Sequence, residues 1–299
     1  AQPAVARRAN PPVANAAVDG FALAGAGVSD GSNIMTLARG RAAAGAPFDG
    51  VVQPGEAVRI LTGAALPAGV DTVVLEEDCT IEAERIAFNG PLKVGANARK
   101  AGEDAHEGDT LLDAGHRLRP QDLAFLTATG VHDVAVHRRL RVGVLSTGDE
   151  IRAAGTDAAA HEIWDANRPM LLAQVRRWGF EAHDLGHVSD DRSSLRTRLD
   201  TASGEVDAIL TSGGASAGDE DHVSALLNEA GSMSLWRIAV KPGRPLALGV
   251  WHGVPVFGLP GNPVAAFVCA LTFAAPALRL LGGGGFVLPR ALEVPAAFH

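Results

Sequence analysis

The sequence predicts an α/β protein in which a β-rich first half precedes a parallel-rich sheet with crossover helices. From residue 140 onward, the apolar runs at 140–145, 181–188 and 206–211 alternate with helical periods, the rhythm of strands joined by crossovers. Before residue 139, the runs at 56–61, 71–76 and 80–88 are separated by Gly/Pro turns such as GAALPAG and FNGP, the pattern of small antiparallel sheets. The 299 residues amount to about two average domains, enough to bury a full core without disulfides or structural metal.

The second half justifies its elements one by one. A helix is expected over 167–178, a second after Asp190, and a third over 221–230, where Val223, Leu226, Leu227 and Ala230 recur at helical spacing. The runs LWRIAV, LALGV and VPVFGL then add strands, and a helix opens at Gly261-Asn262-Pro263, with Asn as cap and Pro suited to the first turn. The apolar run 264–278 contains Pro276 and falls short of the roughly 18 residues a bilayer span needs, so it reads as a buried core helix and no membrane partner is expected. Four glycines at 282–285 read as a flexible linker, and residues 286–299 as the start of a further element.

Composition narrows the function classes. With 34 acidic against 26 basic residues the net charge is −8, which repels polyphosphate backbones and leaves only a local basic pocket for anions, so nucleic acid is not an expected partner. The three lysines, Lys93, Lys100 and Lys241, are scarce enough for each to be considered individually, and the absence of tyrosine excludes phenolic catalysis. Cys79 and Cys269 lie far apart in the sequence and neither has zinc spacing, which fits a reducing compartment. The first residues have neither an apolar signal core nor an initiator Met; they read as a trimmed chain with no secretory signal, and a cytoplasmic location is expected.

Each strand expected in the second half ends in a polar, glycine-bearing loop. These are Ser146-Thr147-Gly148-Asp149-Glu150, Val188-Ser189-Asp190-Asp191 and the segment from Ser212, Gly213 and Gly214 through Ser216 and Gly218 to Asp221. In an open parallel sheet the carboxyl ends of the strands share one edge, and ligands bind there at the switch point. Glycines permit positive φ and close approach of the backbone, while unpaired N–H groups at the following helix start attract phosphate. Carboxylates crowded beside such a loop repel one another, and Mg²⁺, with its preference for oxygen, relieves that repulsion. A metal-bridged anionic ligand is inferred. Taken singly, Asp149, Asp190 and Asp219 read instead as helix N-caps and first-turn acids. Lys241-Pro242-Gly243-Arg244-Pro245 sets two cations three residues apart on a stiff chain, either an anion clamp or a solvated basic turn.

A rival reading starts from Gly214-Ala215-Ser216-Ala217-Gly218, which matches the nucleophile elbow of serine hydrolases. After Ser216, however, only His222, His252 and His299 remain to complete a triad, few acids lie late enough to pair with them, and the neighbouring acids would oppose an oxyanion. Dinucleotide binding is weaker, because no G-x-G-x-x-G occurs, and the ten histidines form no metal motif.

The strings PPVANAAVDGFALAG, GEAVRILTGAALPAGVDTVV, GEDAHEGDTLL, VLSTGDEI, VSDD, ILTSGGASAGDEDHV, IAVKPGRP and FGLPGNPVAAF resemble, in order and spacing, the signature segments of the molybdopterin molybdenumtransferases, the MoeA family, to which the gephyrin E domain is related. The likeness covers roughly residues 10–285. It implies insertion of molybdate into adenylylated molybdopterin (molybdopterin-AMP) with release of AMP, dependent on Mg²⁺, by a homodimer. It also implies a linker and dimerisation domain at 1–29 and 104–138, an inserted β-rich domain at 30–103, a three-layer molybdopterin-binding α/β domain at 139–285, and a C-terminal barrel of which 286–299 would be the truncated start. The family's first helix would lie before Gln2.

By the same resemblance, the functional positions fall on Asp19, Thr62, Asp104, Glu150, Asp190, Asp221, Lys241, Arg244 and the PGNP residues Pro260, Gly261, Asn262 and Pro263. Glu150, Asp190 and Asp221 would hold Mg²⁺; Ser146, Thr147 and Gly148 would bind substrate, and Ser212, Gly213, Gly214, Ser216 and Gly218 would hold the pterin phosphate or pyrophosphate. Asp19, Thr62 and Asp104 come from the resemblance alone; by themselves they read as two turn acids and a loop threonine. Two departures stand out: Arg244 replaces the second lysine of KPGKP, and Phe21 the usual aromatic of DGYA. A serine esterase using Ser216, a non-catalytic pterin-binding module and adenylylation of molybdopterin on the same α/β fold are the alternatives. The β-rich half argues against the last.

Overall fold

The computed structural model of the protein describes residues 1–299 except 215–221, 231, 234, 239–243, 288–291, 293 and 296–299. The chain divides into two compact units, Gln2–Ala135 and Val136–His299, the latter grouped with Ala1.

The N-terminal unit holds β1 (Ala4–Val5), β2 (Asn15–Ala16), β3 (Gly20–Leu23), β4 (Gly31–Ala42), β5 (Glu56–Ile60), β6 (Thr72–Leu75), β7 (Cys79–Glu82), β8 (Arg85–Gly90), β9 (Ala98–Arg99), β10 (Thr110–Leu112) and α1 (Pro120–Ala128). Six of these strands form one sheet in the order β6-β3-β5-β4-β8-β7, antiparallel throughout except for the β4–β5 pair. Strand alternation sends Phe21 and Leu23 into one core with Val74, Ile86 and Phe88, and Ala22 into another with Val58, Ile60 and Val73. The run 80–88, expected as one strand, is a hairpin: β7 and β8 pair Glu82 with Arg85 across a turn in which Ala83 takes φ +50°. No Gly, Asn or Pro marks that turn, so the periodicity runs through it.

The C-terminal unit comprises β11 (Arg141–Thr147), β12 (Ile151–Arg152), β13 (Ile163–Trp164), α2 (Asn167–Trp178), β14 (Glu181–Val188), α3 (Arg192–Glu205), β15 (Ala208–Ser212), α4 (His222–Glu229), β16 (Leu235–Arg237), β17 (Pro245–Trp251), β18 (Val254–Leu259), α5 (Pro263–Cys269), a π-turn at Ala270–Ala274 and α6 (Ala275–Leu281). Its sheet runs β14-β11-β15-β18-β17-β16; the first four strands are mutually parallel, and β17 and β16 close the sheet antiparallel. Val142, Val144, Ala208 and Leu210 pack against α2, α5 and α6, while Leu145 and Ile209 face α3 and α4. This gives the three layers of a doubly wound unit. Helix α2 follows β11 on one face and α4 follows β15 on the other, so the switch point lies between β11 and β15.

The late apolar helix is longer than the run that suggested it. Pro263–Leu281 is a helical stretch of 19 residues, long and apolar enough by length and composition to cross a membrane, with 39% of its apolar window buried in the fold. The π-turn admits Pro276 without ending the helix. One face, carrying Ala266, Cys269, Ala270, Ala274 and Leu278, packs into the sheet, whereas Val264, Phe267, Leu280 and Leu281 are exposed. The helix is therefore one-sided, where a buried helix was expected.

Leu171 of α2 is fully buried in the layer between sheet and helix. Leu171→Ala is expected to lower the stability of the C-terminal unit by about 2–5 kcal/mol, measured by urea unfolding, because the cavity left in a close-packed layer collapses only in part. Leu280→Ala, at an exposed position, is expected to leave the transition nearly unchanged.

Candidate functional site at the carboxyl edge of the sheet

The register of the parallel strands builds this edge. Thr147 lies opposite Val188, Ser146 opposite both His187 and Ser212, and Ser212 opposite Leu259. The segments that follow, 148–150, 189–191, 213–214 and 260–262, therefore emerge side by side. Strand β16 runs parallel to β18, so Ile238, just after β16, lies at the same edge, where Arg244 O accepts its N–H at 2.9 Å.

Glycine is required where these segments touch. Gly213 has φ +96°, and a Cβ there would stand 2.5 Å from Thr147 O; Gly214 has φ +63° and would meet Val223 Cγ2 at 3.0 Å. Gly148, at φ +138°, would bring a Cβ within 2.6 Å of Glu150 Oε2. Backbone thus approaches backbone at the switch point. Around it, Thr147 Oγ1, Thr211 Oγ1, Ser224 Oγ and Asn167 Oδ1 are buried with no hydrogen-bond partner among the described residues.

The two acidic loops clasp each other. Asp149 N donates to Asp190 Oδ2 at 3.1 Å, and Asp190 N donates to Asp149 Oδ1 at 3.0 Å. Two imidazoles back the clasp, His187 Nε2 lying 2.7 Å from Gly148 O and His222 Nε2 3.0 Å from Asp190 O. Capping falls to Asp191, whose Oδ2 accepts Ser194 N at 2.7 Å; hydrogen bonds from the hydroxyls of Ser193 and Ser194 and from the Ser194 backbone hold its carboxyl down to about 2. Asp190 is therefore not the helix cap it reads as singly, and Asp149 precedes no helix. Glu150 is exposed on the same loop, its carbonyl accepting Ile163 N at 2.8 Å.

Below the edge, Asp165 accepts Arg168 N at 3.0 Å and Arg168 Nε at 2.9 Å, while Arg168 Nη1 forks onto Asp184 at 2.6 and 2.9 Å. Burial raises the Asp165 carboxyl, but hydrogen bonds from the Arg168 backbone and guanidinium, with the guanidinium charge, outweigh it and keep it below its usual range. This ionic group, buried at Asp165 and open to solvent at Asp184, fixes the start of α2, and sequence reasoning missed it.

The remaining expected residues fall in three groups. Ser146, Thr147 and Ser212 are nearly fully buried at the strand ends, and Asn262 caps α5 by accepting Ala265 N at 3.1 Å, with Pro263 in the first turn and Pro260 and Gly261 just before it. Ser216, Gly218, Asp221 and Lys241 lie outside the described residues, whereas Arg244 is described and exposed. Asp19, Thr62 and Asp104 belong to the N-terminal unit. There Thr62 Oγ1 and N both donate to Asp19 Oδ1 at 2.6 Å, holding that carboxyl below its usual range, and Asp104 accepts Asn10 Nδ2 at 2.9 Å and Arg99 Nη2 at 2.6 Å.

The tight loop makes a stability prediction. Gly213→Ala, which needs both a left-handed backbone and space that Thr147 O occupies, is expected to cost at least about 1–3 kcal/mol in thermal melts. Gly204→Ala, inside α3 with nothing within 4 Å of the new Cβ, is expected to raise stability by about 0.5–1 kcal/mol.

Residues 1–130 match the MoeA N-terminal region (domain I and II), and residues 143–280 match a probable molybdopterin binding domain. A molybdopterin molybdenumtransferase of Haemophilus influenzae is 36% identical over 271 residues, covering 90% of this chain and 66% of that protein. One from Synechococcus elongatus is 34% identical over 273 residues, covering 88% of this chain and 68% of its own length. A solved MoeA protein of Pyrococcus horikoshii superposes with a TM-score of 0.79 at 28% identity, covering 95% of this chain and 71% of that one. The chain thus spans about two thirds of the length of these curated relatives. Nothing in these likenesses supports the esterase alternative. From the two matched regions and the extent of the shared identity, the chain belongs to the MoeA family of molybdopterin molybdenumtransferases.

Proposed function

We propose that the chain inserts molybdate into adenylylated molybdopterin with release of AMP, a step of molybdenum cofactor biosynthesis. The observation that carries this reading is the convergence of the tight Gly213-Gly214 loop, the clasped Asp149 and Asp190 loops and the Asn262-capped turn on one sheet edge at the switch point. Family membership supplies the substrate class.

In this reading, backbone N–H groups of the loop begun by Ser212, Gly213 and Gly214 and continued through Ser216 and Gly218 hold the pterin phosphate or the pyrophosphate that joins it to AMP. Lys241 and Arg244 take anionic oxygens of the nucleotide or of molybdate, Lys as a point charge and Arg as a fork. Ser146, Thr147 and Gly148 line the floor, and the PGNP residues, Pro260, Gly261, Asn262 and Pro263, close the side next to β18. A water oxygen attacks the pterin-side phosphorus of the phosphoanhydride, forming a new P–O bond as the bond to the bridging oxygen breaks; AMP leaves with the bridging oxygen and its electron pair, and the proton of the attacking water passes to solvent. Asp19, Thr62 and Asp104 are assigned to the same reaction by family likeness.

The residues present suit a hard cation. Glu150 and Asp190 offer only oxygen donors, and the clasp engages Asp190 Oδ2, while Oδ1 has no hydrogen-bond partner among the described residues. Among the described residues no group of three such side chains stands together, and the third proposed ligand, Asp221, lies outside them. Mg²⁺ held by Glu150, Asp190 and Asp221 would neutralise the charge that develops on the leaving phosphate.

The reading includes a homodimer and a cytoplasmic location; it has no nucleic-acid or membrane partner, which the net charge of −8 and the face of the 263–281 helix packed into the sheet support. Its domains are a linker and dimerisation domain at 1–29 and 104–138, the β-rich insertion at 30–103, the molybdopterin-binding domain at 139–285, and a further domain beginning at 286–299.

The test is Mg²⁺-dependent release of AMP from molybdopterin-AMP in the presence of molybdate. Asp190→Ala and Asp221→Ala are each expected to slow release by more than the ~10–100-fold that loss of an outer-shell metal partner costs. Release at the wild-type rate in either variant would remove that carboxylate from the mechanism.

A further inference from the structure

We propose that Asn167 is a positioning residue that turns the Ser212 hydroxyl into a hydrogen-bond donor for the phosphate of the bound ligand and ties the 260–263 turn to the same point. Asn167 opens α2 and is only 8% exposed. Its Nδ2 lies 2.7 Å from Ser212 Oγ and 2.7 Å from Gly261 O. A carbonyl oxygen can only accept, so the amide must present its NH₂ group to Gly261, and both of its hydrogens are thereby used. Ser212 Oγ, accepting one of them, keeps its own proton to give, and no described residue takes it.

Position makes that proton useful. Ser212 is the last residue of β15, directly before Gly213, whose N–H donates to Leu259 O at 3.2 Å. Asn167 therefore joins the end of β15 to the loop after β18 at the switch point, and it reaches both from the helix that follows β11. Its buried Oδ1 has no partner among the described residues, a state that native interiors rarely keep without a use. Asparagine supplies the two donors that this geometry needs. Aspartate would instead take the Ser212 proton and set a negative charge against Gly261 O.

This inference rests on the reading that the edge binds a phosphate-bearing ligand. The test is calorimetric titration of AMP with Mg²⁺ into wild type, Asn167→Ala, Asn167→Asp, Ser212→Ala, Ser212→Thr and the Asn167→Ala/Ser212→Ala pair, with melting curves to verify folding. Each variant that loses the donor is expected to bind about tenfold or more weakly, the scale of one hydrogen bond to a charged group. Ser212→Thr is expected to keep binding, and the paired variant to bind no worse than the weaker single one, since both remove the same donor. A purely structural Asn167 would give losses that add to those at Ser212, and that result overturns the proposal. Ser212→Ala binding as tightly as wild type also overturns it, even if the Asn167 variants fail to fold. Wild type that binds no AMP sinks the phosphate reading and this inference together, whereas wild-type binding with unchanged variants sinks only the role of Asn167.

Discussion

Hydrogen bonding in register between β14, β11, β15 and β18 fixes where the loops of the C-terminal unit emerge. The row His187, Ser146, Ser212 and Leu259 crosses four parallel strands, so the segments after them leave the sheet at one level. Without that row, the glycines at 213 and 214 would have nothing to press against and the acidic loops would lie apart. The flanking helices enforce it, because Val142 and Leu210 on one face and Leu145 and Ile209 on the other are all fully buried. A one-residue slip would turn each of these side chains to the wrong layer.

On that frame the polar groups restrain one another before any ligand enters. The carboxylates of Asp149 and Asp190 each accept the other's backbone N–H, two imidazoles hold the carbonyls beside them, and Asp191 caps α3. Asp165, Arg168 and Asp184 anchor the start of α2, from which Asn167 reaches the loops after β15 and β18. An edge held in this way presents charge and backbone N–H groups with little reorganisation left to make, which is what stabilising a phosphoryl group requires.

Much of this unit was legible in the sequence because its signals are local. The span of α2, 167–178, follows from its apolar spacing and from Gly179, which ends it in the left-handed conformation. Asn262 and Pro263 mark the start of α5 in the same way. The loops carrying Glu150, Asp190 and Gly213 were found because each follows an apolar strand. What escaped was long-range or lacked a turn residue. Asn167 and Ser212 are 45 positions apart, Asp149 and Asp190 41, and Asp19 and Thr62 43, and no periodicity encodes such pairings. The β7–β8 turn was missed because an alanine occupies the left-handed position, and the helix over 263–281 outruns the apolar run 264–278 because the charged Arg279 ends the run but not the helix.

The account stands or falls on where a phosphate binds. A crystal of the protein soaked with AMP and Mg²⁺ is predicted to show the nucleotide phosphate at the carboxyl edge, within hydrogen-bond distance of the Gly214 N–H and the Ser212 hydroxyl and facing the Asp190 loop. A phosphate bound at the opposite edge of the sheet, or on the N-terminal unit alone, would contradict it.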